Sequence, residues 1–138
     1  MSWADLEGSD PDLAATGAAR LAAGYASLAT TRRDGSPRVH PVSPLVGGGR
    51  LFVFMDPASP KGHDLRRDLR RDGRYALHSA VGSPEEGQAE LLLTGRAGPA
   101  EDPAVRGIGR GAPSLRGWQA RPDTLEEQRH RPTGRLTA

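Results

Sequence analysis

Ser59, Pro60 and Lys61 bring together a helix start, a site for a small anion and the only lysine of the 138-residue chain. A serine hydroxyl can accept a bond from an orphan N–H of the first helical turn, and proline at the first helical position loses nothing by lacking its own N–H. The positive end of the helix dipole and the Lys61 ammonium then favour a phosphate-sized anion. The plain alternative is a capped surface helix with one solvated lysine. His63, in the same turn, serves either as a further cation or as a solvated side chain.

Other chemistry finds less support. His40 and His78 have no ligand partner at short spacing, so strand-borne histidines half inside a core are expected and no metal is. The chain has no cysteine, which excludes a disulfide framework and a thiolate nucleophile. Ser43, Ser79 and Asp72 do not form a nucleophile motif. Eighteen of the 19 basic residues are Arg, but 17 acids are interleaved with them and the net charge is +2, which argues against a nucleic-acid surface. The Arg-rich stretch from 64 to 74 holds five Arg and three Asp, read as a solvent face whose charges pair at a spacing of three. No apolar run approaches the roughly 20 residues of a membrane span, and the first residues lack the character of a signal peptide. A cytoplasmic protein is expected, with no membrane partner.

The elements that position these residues follow from composition. Asp10-Pro11-Asp12 opens a helix that carries Leu13, Gly17 and Leu21 at a spacing of four and stops at Gly24. Residues 25–31 have β-type composition, and Asp34-Gly35 suits a tight hairpin. The return strand spans Arg38 to Val46. Pro41 and Pro44 demote it to a strand with one unpaired edge or a bulge, leaving backbone groups for something else to bond. After Gly47-Gly48-Gly49, residues 51–55 form the most apolar strand. Asp56-Pro57-Ala58 delivers the chain to the helix at Ser59, in which Leu65 and Leu69 share a face and which stops at Gly73. Strands follow at 74–81 and 88–97, and a first helical turn is expected near Asp102. Gly107 to Ala138 shows no periodic face and is read as a poorly ordered tail, or one that docks Trp118 and a short helix around Leu125. The expected organisation is a domain over 1–106 followed by a tail over 107–138. The expected fold is a mainly β, α+β antiparallel barrel of five to six strands, with an N-terminal helix and one helix between strands three and four. A two-layer α+β sandwich is the alternative.

In that arrangement Arg38 lies on the proline-broken strand, Phe54 and Met55 end an adjacent one, and Lys61 follows. Arg38 and Lys61 can then converge on one anion while the backbone of 39–43 faces a flat ligand. Leu28-Ala29-Thr30, Asp34 to Val42, Leu51 to Phe54, Ser59-Pro60-Lys61 and Arg70 to Ser79 together resemble the pyridoxamine 5'-phosphate oxidase-like group of FMN-binding split barrels, over about residues 20–106. The resemblance implies a homodimer with FMN in the cleft between protomers, acting as an oxidoreductase on a small-molecule substrate or electron donor. Arg38, Val39, His40, Pro41, Val42 and Ser43 would line the isoalloxazine and ribityl chain, Phe54 and Met55 would continue the wall, and Ser59 and Lys61 would hold the phosphate. A deazaflavin coenzyme in place of FMN, or flavin binding without turnover, is the alternative. No residue is expected to act as acid or base, so no catalytic residue is assigned.

Three departures accompany the resemblance. The Asp-Leu-Arg-Arg unit occurs twice where the family usually has one, adding about one turn, or roughly 6 Å and about 40°. Glu90 stands nearest the position where the family often has a flavin-contacting Gln, with Gln88 two residues earlier, and a carboxylate there would oppose an anionic flavin. A final strand and a tryptophan-bearing C-terminus are expected after residue 102, and the Gly/Arg-rich tail resembles neither, so the barrel is expected to be incomplete.

Overall fold

The computed structural model describes residues 1–56, 58–68, 73–81, 89–100 and 116–129. Two helices come first, α1 (Trp3–Ser9) and α2 (Pro11–Ala22). Strands β1 (Ala26–Thr31), β2 (Pro37–Val42), β3 (Pro44–Gly47) and β4 (Arg50–Met55) follow. Helix α3 (Pro60–Asp68) then precedes β5 (Arg74–His78), β6 (Ala89–Pro99) and β7 (Arg116–Arg129). The seven strands form one sheet in the order β2-β1-β5-β6-β7-β4-β3, with every pairing antiparallel.

This order imposes closure. β2 and β3 lie at opposite edges of the sheet, yet only Ser43 separates them in the chain. A single linking residue lets the flanking Cα atoms stand no more than roughly 7 Å apart. The sheet must therefore curl until its two edges meet at Ser43, although β2 and β3 do not pair with each other. The result is an antiparallel α+β barrel, shut at one point along its seam and split elsewhere. The expected strand from Arg38 to Val46 is thus two strands that belong to the two edges.

The prolines of the seam fall where they do least damage. Arg32 N–H donates to Ser36 O at 2.8 Å, so 32 and 36 form a hydrogen-bonded pair of the β1–β2 hairpin. Alternation then makes Thr30–Arg38, Leu28–His40 and Ala26–Val42 the bonded pairs, and turns the backbone of Pro37, Val39 and Pro41 outward. Two of those three outward positions have no N–H to offer, which blunts the edge against a further strand. The hairpin loop holds Arg33, Asp34 and Gly35, one residue longer than a tight Asp-Gly turn. Gly35 takes a φ of 87°, and Asp34 Oδ1 accepts from Ser36 Oγ and from Ser36 N. These two bonds, the hydroxyl first, hold the Asp34 carboxyl below its usual value of 3.8.

Leucines and small residues fill the barrel, with Leu28, Leu51, Leu65, Leu77, Leu91 and Leu93 all buried. α2 begins as its sequence indicates: Asp10 Oδ1 accepts Leu13 N–H at 3.0 Å, Pro11 is the first helical residue, and Gly17 and Leu21 face inward. α1 adds an element that the apolar pattern does not reveal. Its Ser2–Asp5 capping box fixes Trp3, only 1% exposed, against Gly17, where a Cβ would stand 3.2 Å from the indole. The Ser2 backbone N–H holds the Asp5 carboxyl below 3.8, so the box strengthens α1 above the unfolded-state value and fades as pH falls through the lowered one.

The largest correction to the sequence reading is β7. Residues 116–129 are strand, not tail or helix, and Leu125 pairs with Leu93. β7 fills the gap between β4 and β6, with Trp118 opposite Val53 on one side and Pro99 on the other. Its register shifts between Thr94 and Gly95, so Asp123 is an extra residue beside Pro122. Pro122 also lies beyond the 116–120 segment that pairs with β4. A strand bonded on both sides over its first part draws on backbone partners more than on an apolar face, which is why composition does not announce it. The helical turn near Asp102, the 82–87 turn and the second Asp-Leu-Arg-Arg unit beyond Asp68 lie outside the described residues. No helix among the described residues is long and apolar enough to cross a membrane.

Gly73, expected as the stop of α3, has a φ of +54° as the chain enters β5, and a Cβ there would stand 2.7 Å from Ala97 O. Gly73→Ala should therefore destabilise the protein by about 2 kcal/mol or more in chemical denaturation, from left-handed strain plus displacement of the Gly73–Ala97 backbone contact. Gly24→Ala, with nothing within 4 Å of its Cβ, should leave the midpoint nearly unchanged.

Candidate functional site

The start of α3 folds as its residues dictate. Ser59 Oγ accepts Gly62 N–H at 3.2 Å, and Ser59 O accepts His63 N–H at 3.0 Å. Upstream, Asp56 takes Ala58 N–H at 2.7 Å through Oδ1 and Ser59 N–H at 3.0 Å through its carbonyl. The turn thus satisfies most of its own donors. Among the described residues, the Lys61 N–H and the hydroxyl hydrogen of Ser59 remain without an acceptor, beside a half-buried Lys61 side chain. The site is narrower than a helix start with all of its N–H groups open.

Arg38 reaches this helix by a route that its position does not reveal. Its Nε donates to Asp64 Oδ2 at 2.6 Å, and Thr30 Oγ1 donates to the same oxygen at 3.0 Å. Thr30 and Arg38 are directly opposite each other on β1 and β2, so one carboxylate oxygen ties both strands to α3. Asp64 is 2% exposed and therefore does not belong to the charged solvent face expected of the 64–74 stretch. Lys61 stands three residues before Asp64 on the same helix, and residues at that spacing are neighbours on one face. Arg38 is accordingly brought to the face that carries Lys61. Its two terminal nitrogens have no acceptor among the described residues, and its side chain is 23% exposed. Thr30 and Asp64 are absent from the residues singled out by sequence. The hairpin register around Gly35 would have placed Thr30 beside Arg38, and the spacing from Lys61 would have placed Asp64.

The remaining candidates separate by face. Arg38, His40 and Val42 point inward: His40 is half-buried opposite Leu28, and Val42 is buried in the core at 5% exposure. Met55 is likewise buried at 3%, so neither Val42 nor Met55 offers a side chain to a ligand. Val39, Pro41 and Ser43 are exposed. The outward backbone of β2 presents the carbonyls of Pro37, Val39 and Pro41 and the single N–H of Val39, an edge rich in acceptors. Phe54 is half-buried, its ring 6.2 Å from that of Phe52. Glu90 Oε2 lies 3.3 Å from His78 Nε2, while His78 Nδ1 faces Ser79 O at 2.7 Å, so this carboxylate has an imidazole beside it. Gln88 lies outside the described residues, and among those described no group of three or more acidic or imidazole side chains could hold a metal.

The start of α3 and the Arg38 side chain bonded to that helix thus carry five donors of four kinds: Arg38 Nη1 and Nη2, Lys61 Nζ, Lys61 N–H and the Ser59 hydroxyl. Asp64 is the fulcrum of this set. Removing it alone leaves a part-buried guanidinium without its counter-charge, whereas replacing both partners by apolar residues removes the imbalance. Asp64→Leu should cost about 2 kcal/mol in urea denaturation, a value reduced for the partial exposure of Arg38. The double variant Arg38→Met, Asp64→Leu should be more stable than Asp64→Leu alone.

No protein-family model and no curated protein sequence matches the chain. Solved structures do. A putative pyridoxamine 5'-phosphate oxidase of Listeria innocua superposes with a TM-score of 0.67 at 20% identity, covering 82% of this chain and 95% of that one. A conserved hypothetical protein of Mycobacterium tuberculosis gives 0.69 at 19% identity, over 90% and 89% of the two chains. An F420 reductase gives 0.60 at 18% identity, over 78% and 94%. The chain has the split β-barrel fold of the pyridoxamine 5'-phosphate oxidase-like proteins.

Proposed function

We propose that the protein binds FMN, with the phosphate at the start of α3 and the ring along the β2 edge, and works as a flavin-dependent oxidoreductase on a small molecule. The observation that carries this reading is the bond from Arg38 Nε to Asp64, which ties Arg38 to α3 three residues from Lys61. A phosphate monoester is a compact dianion with three strong acceptor oxygens, and the donors available are two guanidinium nitrogens, an ammonium, a backbone N–H and a hydroxyl. FMN, when bound, supplies a two-electron acceptor at ring nitrogen N5. The chain's own residues hold and orient: Arg38, Ser59 and Lys61 fix the phosphate, and the outward carbonyls of Pro37, Val39 and Pro41 accept from donors on the ligand.

Phe54 supplies apolar surface, whereas Val42 and Met55 act from behind, as core residues that stiffen the strands. His40, half-buried opposite Leu28, supports β2 from inside, and Ser43 marks the seam. Glu90 is engaged within the sheet, its Oε2 3.3 Å from His78 Nε2. A deazaflavin coenzyme is the second reading, favoured by the likeness to an F420 reductase and by the same need for a phosphate site. A homodimer with the cofactor in the cleft between copies accords with the exposure of Tyr25, Val39 and Val81 at 72%, 63% and 56%. A cytoplasmic setting completes the reading.

The visible spectrum tests the first claim. Protein purified or reconstituted with FMN should show oxidised-flavin bands that bleach with reduced nicotinamide. Protein that stays colourless after FMN is added overturns the reading, and uptake of a deazaflavin coenzyme instead selects the second. Lys61→Ala should weaken FMN binding by about 1.5 to 3 kcal/mol, the range of a charge-assisted contact, and leave riboflavin binding in place. Light scattering should report a dimer, and a monomer at high concentration would contradict the shared cleft.

A further inference from the structure

We propose that Asp64 is the positioning residue of the phosphate site: it touches no ligand, but by holding Arg38 at Nε it presents the two terminal guanidinium nitrogens as a fixed pair of donors to a phosphate monoester. The inference rests on the flavin-phosphate reading above and deepens it.

A guanidinium is a rigid plane with five N–H donors. Fixing one bond at Nε fixes the plane, and the four N–H bonds on Nη1 and Nη2 then point in set directions. Asp64 makes that bond at 2.6 Å from a 2%-exposed position, where water cannot compete for it. The carboxylate is itself held, because Thr30 Oγ1 donates to the same oxygen at 3.0 Å from the strand position opposite Arg38. The chain of constraint runs from β1 through the carboxylate on α3 to the β2 side chain. A free arginine loses much of its rotamer freedom when it grips a ligand, but this one has lost it on folding.

The arrangement also shapes selectivity. Asp64 sets its carboxylate against the Arg38 guanidinium, so Arg38 enters the donor set as a paired cation and Lys61 as the flexible one. A phosphate is then recognised by directed hydrogen bonds from Arg38 more than by bare coulombic attraction, which favours a phosphate ester seated in one geometry over small anions in general.

The test compares FMN with riboflavin, which lacks the phosphate, by fluorescence titration of wild type, Asp64→Asn, Arg38→Gln and the double variant, with thermal melts to establish folding. Wild type should prefer FMN. Asp64→Asn should cut the FMN-to-riboflavin affinity ratio by tenfold or more while riboflavin affinity stays within twofold, and in the Arg38→Gln background it should change the ratio no further. Thr30→Val, which lets the carboxylate turn, should shift the ratio the same way by severalfold, and it carries the test if Asp64→Asn does not fold. An equal loss of FMN and riboflavin affinity would make Asp64 merely structural. A ratio that rises on Asp64→Asn would make it an opponent of the phosphate charge. Either result overturns the proposal while leaving the flavin reading intact. Wild type that binds neither compound, or binds both equally, overturns the phosphate reading and this inference together.

Discussion

Everything in this molecule is subordinate to the link at Ser43. Because one residue joins the first strand of the sheet to the last, the sheet cannot lie open, and seven strands must wrap far enough for β2 and β3 to meet. Wrapping turns one face of every strand toward a common interior, which the buried leucines fill. It also leaves a seam along which two strand edges run without pairing. Unpaired edges invite aggregation, and here prolines occupy outward positions on β2. The same substitution that protects the edge strips it of donors, so it favours a ligand that brings donors of its own.

α3 converts this seam into a chemical site. The helix packs by Leu65, and the adjacent Asp64 is carried inside with it. A buried carboxylate needs partners, and Thr30 and Arg38 supply them from two strands at once. Packing and charge placement are thus inseparable: the burial that stabilises α3 also directs the Arg38 side chain to the face where Lys61 stands. The capped turn uses most of its own backbone donors, so recognition of an anion falls mainly to side chains.

The helices at the other side of the chain do quieter work. α1 and α2 place Trp3 and Leu21 in the core, and the smallness of Gly17 lets the indole lie against α2. The Ser2–Asp5 box that starts α1 is local and electrostatic in origin, so this anchor responds to acid where the leucine core does not.

Local chemistry in the sequence determined a good deal by itself. Asp10-Pro11 opens α2, Asp34-Gly35 turns the first hairpin, Ser59-Pro60 opens α3 and Gly73 takes a positive φ ahead of β5, because capping and positive φ are decided within four or five residues. The resemblance to split barrels was equally legible, and with it the class of fold. Tertiary structure alone decided three other matters. It made β7 a strand, because the backbone of 116–120 finds partners in both β4 and β6, which no pattern within residues 116–129 records. It broke one expected strand in two at Ser43, because the two halves serve opposite edges. It took Asp64 out of a presumed solvent face and set it between Thr30 and Arg38, residues 34 and 26 positions away in the chain. Contacts across that separation arise only in the folded chain, so spacing could set Asp64 near Lys61 on the helix but could not reveal the strand partners that bury it.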